Sequence, residues 1–346
     1  MQRALIGAPG AGVGTLIGVP GDGAGRAPPA PAAAAERLPV FVLTGPTGSG
    51  KTDQAVRLAQ RAPLEILSVD SALVYRGLDI GTDKPSRELR ARIPHHLIDI
   101  CDPSESYSAG RFVADALRTI REVHARRRVP LLVGGTMLYL RALRRGLAVL
   151  PQASPELRAR LDARAAAEGW PALHAELATL DPAAAARIAP SDRQRIQRAL
   201  EVCLSAGRPI SELQRDTRSP LADWPVSYWV LAPRERSVLH ERLTRRFERM
   251  MAAGFLDEVA GLKARGDLTA RHPAMRSVGY RQLWAHLEGQ CGLDEAVQRA
   301  IAATRQLAKR QLTWMRGEPL GEWLDPNDAE LSLNRDMCHK LGRFGL

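Results

Sequence analysis

Lys51 and Thr52, with glycines at positions 45, 48 and 50 before them, are the residues whose spacing speaks first of chemistry. In FVLTGPTGSGKT (residues 41–52) an apolar run leads into Gly45, Gly48 and Gly50 punctuate a turn, and Lys51 opens a run rich in Ala, Leu and Gln. This is the GxxxxGK[ST] phosphate-loop pattern in the context it requires, a buried strand before it and a helix after. Glycines let successive backbone N–H groups point at one oxyanion, and the positive end of the following helix adds to the attraction. The candidate cradle is Gly45, Pro46, Thr47, Gly48, Ser49, Gly50, Lys51 and Thr52, with amides offered from Thr47 to Thr52. Lys51 neutralises an outer phosphate, and the Thr52 hydroxyl is the candidate ligand for Mg²⁺. The alternative is a Gly-rich turn that binds nothing.

Three further strand ends could carry chemistry. LEILSVD (64–70) closes on Asp70, which opens the irregular stretch DSALVYRGLDIGTDKP, and HHLIDI (95–100) supplies a second acidic end at Asp99. An α/β sheet presents its chemistry at such C-terminal strand ends. The third, VPLLVGGT (129–136), finishes on Gly134, Gly135 and Thr136, where an ordinary P-loop ATPase carries an acid. The glycines could admit a ligand to the backbone and Thr136 could hydrogen-bond it, unless they only turn the chain into MLYLRALRRG. Near residue 237 a helical period puts Leu239, Leu243 and Met250 on one side and Arg246 in the same stripe. An inward Arg either snorkels or meets an anion, and the pattern leaves both open.

The elements that must position these residues follow from the spacing. Strands alternating with helical runs of ten or more residues predict βαβ units, hence an α/β fold with a P-loop NTPase-like parallel sheet core, resumed at VSYWVLAP (226–233). Between 151 and 220, Ala, Arg, Leu and Glu dominate and β-branched residues thin out, which predicts an inserted all-helical domain. There, Ser191 and Gln194 form a capping box ahead of an apolar face of Ile196, Leu200 and Leu204; capping explains Gln194 but not Arg198. Along the helix expected over 295–316, Arg305, Lys309 and Arg316 share one stripe, with Ala303, Leu307 and Trp314 opposite. Such a helix docks on a core and faces either solvent or a nucleic-acid backbone. The plan is a disordered extension or misplaced start over 1–36, a core over 37–150 and 221–326, the helical insertion over 151–220, and an unpatterned tail over 327–346 with no assigned role. The extension holds a decoy, GAPGAGVGT (7–15), which lacks the Lys.

Composition narrows the partners. At 45% hydrophobic and 25% charged this is an ordinary globular chain, so the excess of 49 Lys and Arg over 38 Asp and Glu, a charge of +11, stands out. It points to a polyanion, nucleic acid before an acidic membrane, or to an Arg-rich genome filling solvated faces. Four scattered cysteines with no CxxC pair argue against zinc or a disulfide framework and suit a reducing cytosol. No apolar run approaches the roughly 18 residues that cross a bilayer.

Taken in order, GPTGSGKT, VDSALVYRGLDIGTDKP, HHLIDI, GGTMLY, DRQRIQRALEV, RSVGYRQLW and ATRQLAKRQLTW resemble the bacterial tRNA dimethylallyltransferase family, also called tRNA isopentenyltransferase, over residues 38–324. The resemblance implies transfer of a dimethylallyl group from dimethylallyl diphosphate to N6 of the adenosine at tRNA position 37, beside the anticodon, in tRNAs reading UNN codons. It implies that the loop holds a diphosphate leaving group with Mg²⁺, which fits the missing acidic strand end. Asp70 is then the base, Lys51, Thr52 and Thr136 complete the catalytic set, and Arg246 is a further anion contact. It also implies tRNA contacts at Asp70, Ser71, Ala72 and Leu73, at Thr136, at Arg158, and at Gln194, Arg195, Ile196, Gln197 and Arg198. Further contacts fall at Arg276, Ser277, Val278, Gly279, Tyr280 and Arg281, and at Ala303, Thr304, Arg305, Gln306, Leu307, Ala308, Lys309 and Arg310. The expected protein is a cytoplasmic monomer, free of membrane, whose insertion clamps the anticodon stem-loop. The rivals are an adenylate isopentenyltransferase acting on free AMP or ADP, a small-molecule P-loop kinase, and a non-enzymatic RNA-binding module.

Overall fold

VFVLT is buried along its whole length as β1 (Val40–Thr44). Val40 and Val42 enter one hydrophobic cluster and Phe41 and Leu43 another, as a strand must when helices cover both faces of a parallel sheet. The computed structural model describes residues 37–346 apart from positions 149, 152, 153 and 216, so the extension expected over 1–36 lies outside the described residues. Beside β1 lie β2 (Leu64–Val69), β3 (His95–His96), β4 (Val129–Gly134), β5 (Val226–Leu231) and β6 (Glu322–Leu324). All pair in parallel, in the order β3-β2-β4-β1-β5-β6. HHLIDI is a strand for only two residues. Leu97 and Asp99 then take positive φ, and the turn lets the Asp99 carboxylate meet Lys84 and Arg90, so this acid is structural.

Helices α1 (Lys51–Ala59), α2 (Arg87–Arg92), α3 (Ala109–Ala125) and α4 (Met137–Arg145) serve the first half of the sheet. Ser86 and Ser108 cap α2 and α3 by accepting from the N3 amides. Between α4 and β5 run α5 (Pro155–Glu168), α6 (Trp170–Leu180), α7 (Pro182–Ala185), α8 (Arg193–Ala206) and α9 (Ile210–Leu213). They bury a cluster of their own around Leu161, Leu173, Leu177, Ile196 and Leu200. The cap of α8 is Asp192, which accepts from Arg195 N, and not Ser191. Leu204 is 41% exposed. Each step of four residues rotates a row by about 40°, so the buried face follows Ile196, Ala199, Leu200 and Cys203 and leaves Leu204 outside.

After β5 come α10 (Arg236–Ala252), α11 (Phe255–Ala264), a 3₁₀ turn (Ala274–Arg276), α12 (Tyr280–Leu287), α13 (Leu293–Gly317) and α14 (Ala329–Gly342). The buried face of α13 is Ala296, Ala300, Ile301, Ala308, Gln311 and Met315; Ala303, Leu307 and Trp314 are only half-buried. With alanine on several faces, the sequence offers little contrast from which to orient this helix. The tail does have a structural role. Ala329, Leu333, Met337 and Leu341 of α14 pack in the cluster of Phe41 and Trp229, whose Nε1 donates to Asp336 at 3.1 Å.

Candidate active site

The loop between β1 and α1 takes its shape from its glycines. Gly48 and Gly50 sit at φ of 77° and 84°, in the left-handed region, with Gly50 at the N-cap of α1. A Cβ at Gly45 would stand 2.1 Å from the Leu231 carbonyl oxygen, so this position lets the loop leave the sheet beside β5. Two of the expected amides are engaged within the protein: Thr47 N donates to Gln311 Oε1 at 2.9 Å, and Ser49 N to the Pro46 carbonyl at 3.3 Å. Gly48, Gly50, Lys51 and Thr52 have no acceptor for their amides among the described residues, the last two lying in the first helical turn, where no intrahelical acceptor exists. Lys51 Nζ folds back on the Pro46 carbonyl at 2.7 Å. Burial pulls its pKa down to about 8, with Asp70 opposing the shift and Arg246 adding to it.

Asp70 stands directly after β2. Its Oδ1 accepts from Ala72 N at 2.8 Å and Leu73 N at 3.3 Å, leaving the second oxygen without a donor among the described residues. The same cavity, of about 490 Å³, is lined by Asp70, Lys51, Thr52, Gly135, Arg246 and Gln311. Thr136 is not part of that lining. Its hydroxyl accepts from Ser71 N at 3.0 Å and so ties the turn after β4 to the turn after β2. Gly134 and Gly135 face the cavity, yet what excludes a side chain there is protein. A Cβ at Gly134 would lie 2.1 Å from the Val69 carbonyl oxygen, and one at Gly135 would lie 2.7 Å from the Gly45 carbonyl oxygen.

Arg246 is 20% exposed along its side chain and does not snorkel. It donates from Nε to Asp83 at 3.0 Å, from Nη1 to Thr47 Oγ1 at 2.7 Å and from Nη2 to the Thr82 carbonyl at 3.0 Å. Three more arginines of α10, Arg242, Arg245 and Arg249, reach the cavity, with Arg57 from α1 and Asn327 from beyond β6. The α10 set is spaced i, i+3, i+4 and i+7, one helical face, a signal legible in LHERLTRRFERM. Nothing in the sequence pointed to Glu258. It accepts from the amides of Asp79, Ile80 and Gly81 and from the Tyr280 hydroxyl, and so holds the segment that carries Thr82 and Asp83 against Arg246.

The remaining candidate residues divide by burial. Ser71 is exposed and Ala72 and Leu73 half-buried beside Asp70. On the helical cluster, Gln194 and Arg195 are exposed and Ile196 is fully buried. Arg158 and Arg198 pair with buried Glu201, at 2.8 and 3.5 Å, and Gln197 donates to Asp162. Arg276 and Arg281 are exposed, Ser277 and Val278 half-buried, Gly279 buried at positive φ against Phe255, and Tyr280 fully buried. On α13, Gln306, Lys309 and Arg310 are exposed, Ala303, Thr304 and Leu307 half-buried, and Ala308 buried. Arg305 is half-buried, with Nη2 donating to Thr244 at 2.8 Å.

A parallel sheet carries a glycine-rich loop and a strand-end carboxylate on the walls of one arginine-lined cavity, the layout of a P-loop-type core. The IPP transferase family model matches residues 73–318, and the isopentenyl transferase model residues 38–97. The tRNA dimethylallyltransferase of Alkalilimnicola ehrlichii is 59% identical over 307 residues, covering 88% of this chain and 95% of that protein. The full-length tRNA isopentenylpyrophosphate transferase of Bacillus halodurans superposes with a TM-score of 0.65 at 36% identity, covering 88% of this chain and 97% of that one. A eukaryotic dimethylallyltransferase acting on tRNA gives a TM-score of 0.71 at 27% identity, over 84% of this chain and 74% of that one. The chain belongs to the IPP transferase family and is a prenyltransferase. These relatives set aside the kinase, the free-nucleotide prenyltransferase and the non-enzymatic module. No helix among the described residues is long and apolar enough to cross a membrane.

Proposed function

We propose that the chain transfers the dimethylallyl group of dimethylallyl diphosphate to N6 of the adenosine at tRNA position 37 in UNN-reading tRNAs, releasing diphosphate. The observation that supports this reading is that an Asp70 oxygen without a donor among the described residues and the glycine-rich loop line one cavity. Adenine N6 is a poor nucleophile because its lone pair is delocalised into the ring. Asp70 accepts a hydrogen bond from the amine and takes its proton as the C–N bond forms, a contribution of about 10²- to 10⁴-fold. The C–O bond to the diphosphate breaks, its electron pair leaves with the phosphate oxygen, and the amides of Gly48, Gly50, Lys51 and Thr52 meet the growing charge together with Lys51 and Arg246. Thr136 acts through Ser71 to keep the Asp70 turn in place.

Mg²⁺ fits the donor set. Thr52 offers one hard hydroxyl oxygen at the cavity wall, and no group of three acidic, His or Cys side chains that could hold a metal occurs among the described residues. A hydroxyl oxygen suits a hard cation such as Mg²⁺, which Thr52 would help to hold. When bound it would offset charge on the leaving diphosphate.

The acceptor base reaches the cavity by leaving its stack, which also keeps water from an allylic carbon with cationic character. The exposed residues Ser71, Gln194, Arg195, Arg276, Arg281, Gln306, Lys309 and Arg310 are the ones we assign to RNA contact. Ile196, Tyr280 and Ala308 hold those surfaces from below. The helices over 151–220 clamp the anticodon arm against the core over 37–150 and 221–326, and the enzyme works as a cytoplasmic monomer. Incubation with dimethylallyl diphosphate, Mg²⁺ and an unmodified UNN-reading tRNA is expected to yield N6-alkylated adenosine in the digested RNA by mass spectrometry. Faster alkylation of free AMP than of tRNA would sink the proposal.

A further inference from the structure

Thr47 stands in the phosphate loop and is gripped from two helices. Arg246 of α10 donates to its hydroxyl at 2.7 Å, and Gln311 of α13 accepts its backbone N–H at 2.9 Å. The same Gln311 amide donates from Nε2 to the Gly135 carbonyl at 2.8 Å, so one side chain bridges the turn after β1 to the turn after β4. Gln311 is only 6% exposed. Room for it depends on Gly135, where a Cβ would stand 2.7 Å from Gln311 Nε2.

A helix has no need of a glutamine at such a place. Its neighbours along the buried face, Ala308 and Met315, are apolar, and an apolar residue would carry no desolvation cost. Both ends of the Gln311 amide are instead matched to backbone groups of the anion site. Turning the Thr47 N–H toward α13 removes one donor from the ligand and fixes the direction of those that follow, at Gly48, Gly50, Lys51 and Thr52. An anion site set before its ligand arrives does not have to reorganise on binding.

Building on the reading that this loop holds diphosphate, we propose that Gln311 is a positioning residue. It locks the phosphate loop in its diphosphate-ready shape and fastens it to α13, the helix whose preceding turns we assign to RNA contact. Its effect is exerted through Thr47 and Gly135.

The test is calorimetric titration of inorganic pyrophosphate with Mg²⁺ into the full chain and into Gln311→Met and Gln311→Asn. Met has nearly the length of Gln without its hydrogen bonds, and Asn keeps the amide but is too short to span both partners. Each variant should bind pyrophosphate about tenfold more weakly, the net worth of one hydrogen bond. The KM for dimethylallyl diphosphate should rise in step while tRNA affinity stays within about twofold. A wild-type chain that fails to bind pyrophosphate refutes the functional reading itself. Wild-type binding with unchanged or tighter binding in the folded variants refutes the role of Gln311 alone. Parallel losses of pyrophosphate affinity, tRNA affinity and melting temperature, or failure of both variants to fold, would reduce Gln311 to a stabilising residue and overturn the inference.

Discussion

Lys51 is the residue on which pH should act. Its amine in the folded protein titrates at about 8, below the ordinary 10.5 of an unfolded chain, because burial penalises the ammonium form. The penalty on the folded state is therefore full below about pH 8 and disappears as pH rises past the unfolded value, so this lysine lowers stability at neutral pH. Binding an anion reverses the preference. Pyrophosphate affinity should be nearly flat up to about pH 7 and fall as pH rises through 8, and Lys51→Met should bind weakly with that pH dependence gone. An unchanged profile in Lys51→Met would show that another group sets it. At Asp70, replacement by Ala should lower turnover by about 10²-fold or more while tRNA affinity changes little, as measured by single-turnover rates beside filter binding. Equal losses in both would remove its role as base. Lys51, Thr52 and Asp70 were legible because each sits within a few residues of the strand or helix that aims it. Gln311 and Glu258 were not, since their partners lie 264 and 177–179 positions away and no local pattern marks a buried amide or carboxylate as the anchor of a distant loop.

Among the elements, β1, β2, β4 and β5 were the most readable, because a parallel sheet covered on both faces leaves continuous apolar runs in the sequence, whereas β3 lasts two residues and the largely exposed β6 carries no such run. Helix faces were less so. On α10 the sequence shows the apolar stripe of Leu239, Leu243 and Met250 with Arg246 in it, but the arginines at 242, 245 and 249 take their meaning from the cavity. On α13 the abundance of alanine disguised which side is buried. For α14 the signal was the four-residue recurrence of Ala329, Leu333, Met337 and Leu341, dispersed among Ser, Asn and charged residues. That helix should matter more than its plain sequence suggests. Met337→Ala is expected to destabilise the protein by about 2–5 kcal/mol, seen as a lower denaturation midpoint, because a buried side chain beside Trp229 leaves a cavity. A midpoint within error of the parent would mean that α14 adds little to the sheet beneath it.

Over the whole molecule, the formal charge of +11 gives RNA binding a strong ionic component, yet the basic residues do not share that role equally. Lys309 is exposed, whereas Arg305 is half-buried with its guanidinium on Thr244. Lys309→Ala should reduce the slope of log affinity against log salt by about 0.7–0.9, the loss of one phosphate contact, with stability unchanged. Arg305→Ala should instead lower the melting temperature, and the reverse assignment of the two effects would show that α13 turns its other side to RNA. The helices between α4 and β5 have a different bearing on the molecule. Their buried cluster shares no side chain with the two clusters that sandwich the sheet. Exchanges inside that cluster are therefore expected to disturb its own helices before they reach the side chains packed behind the phosphate loop.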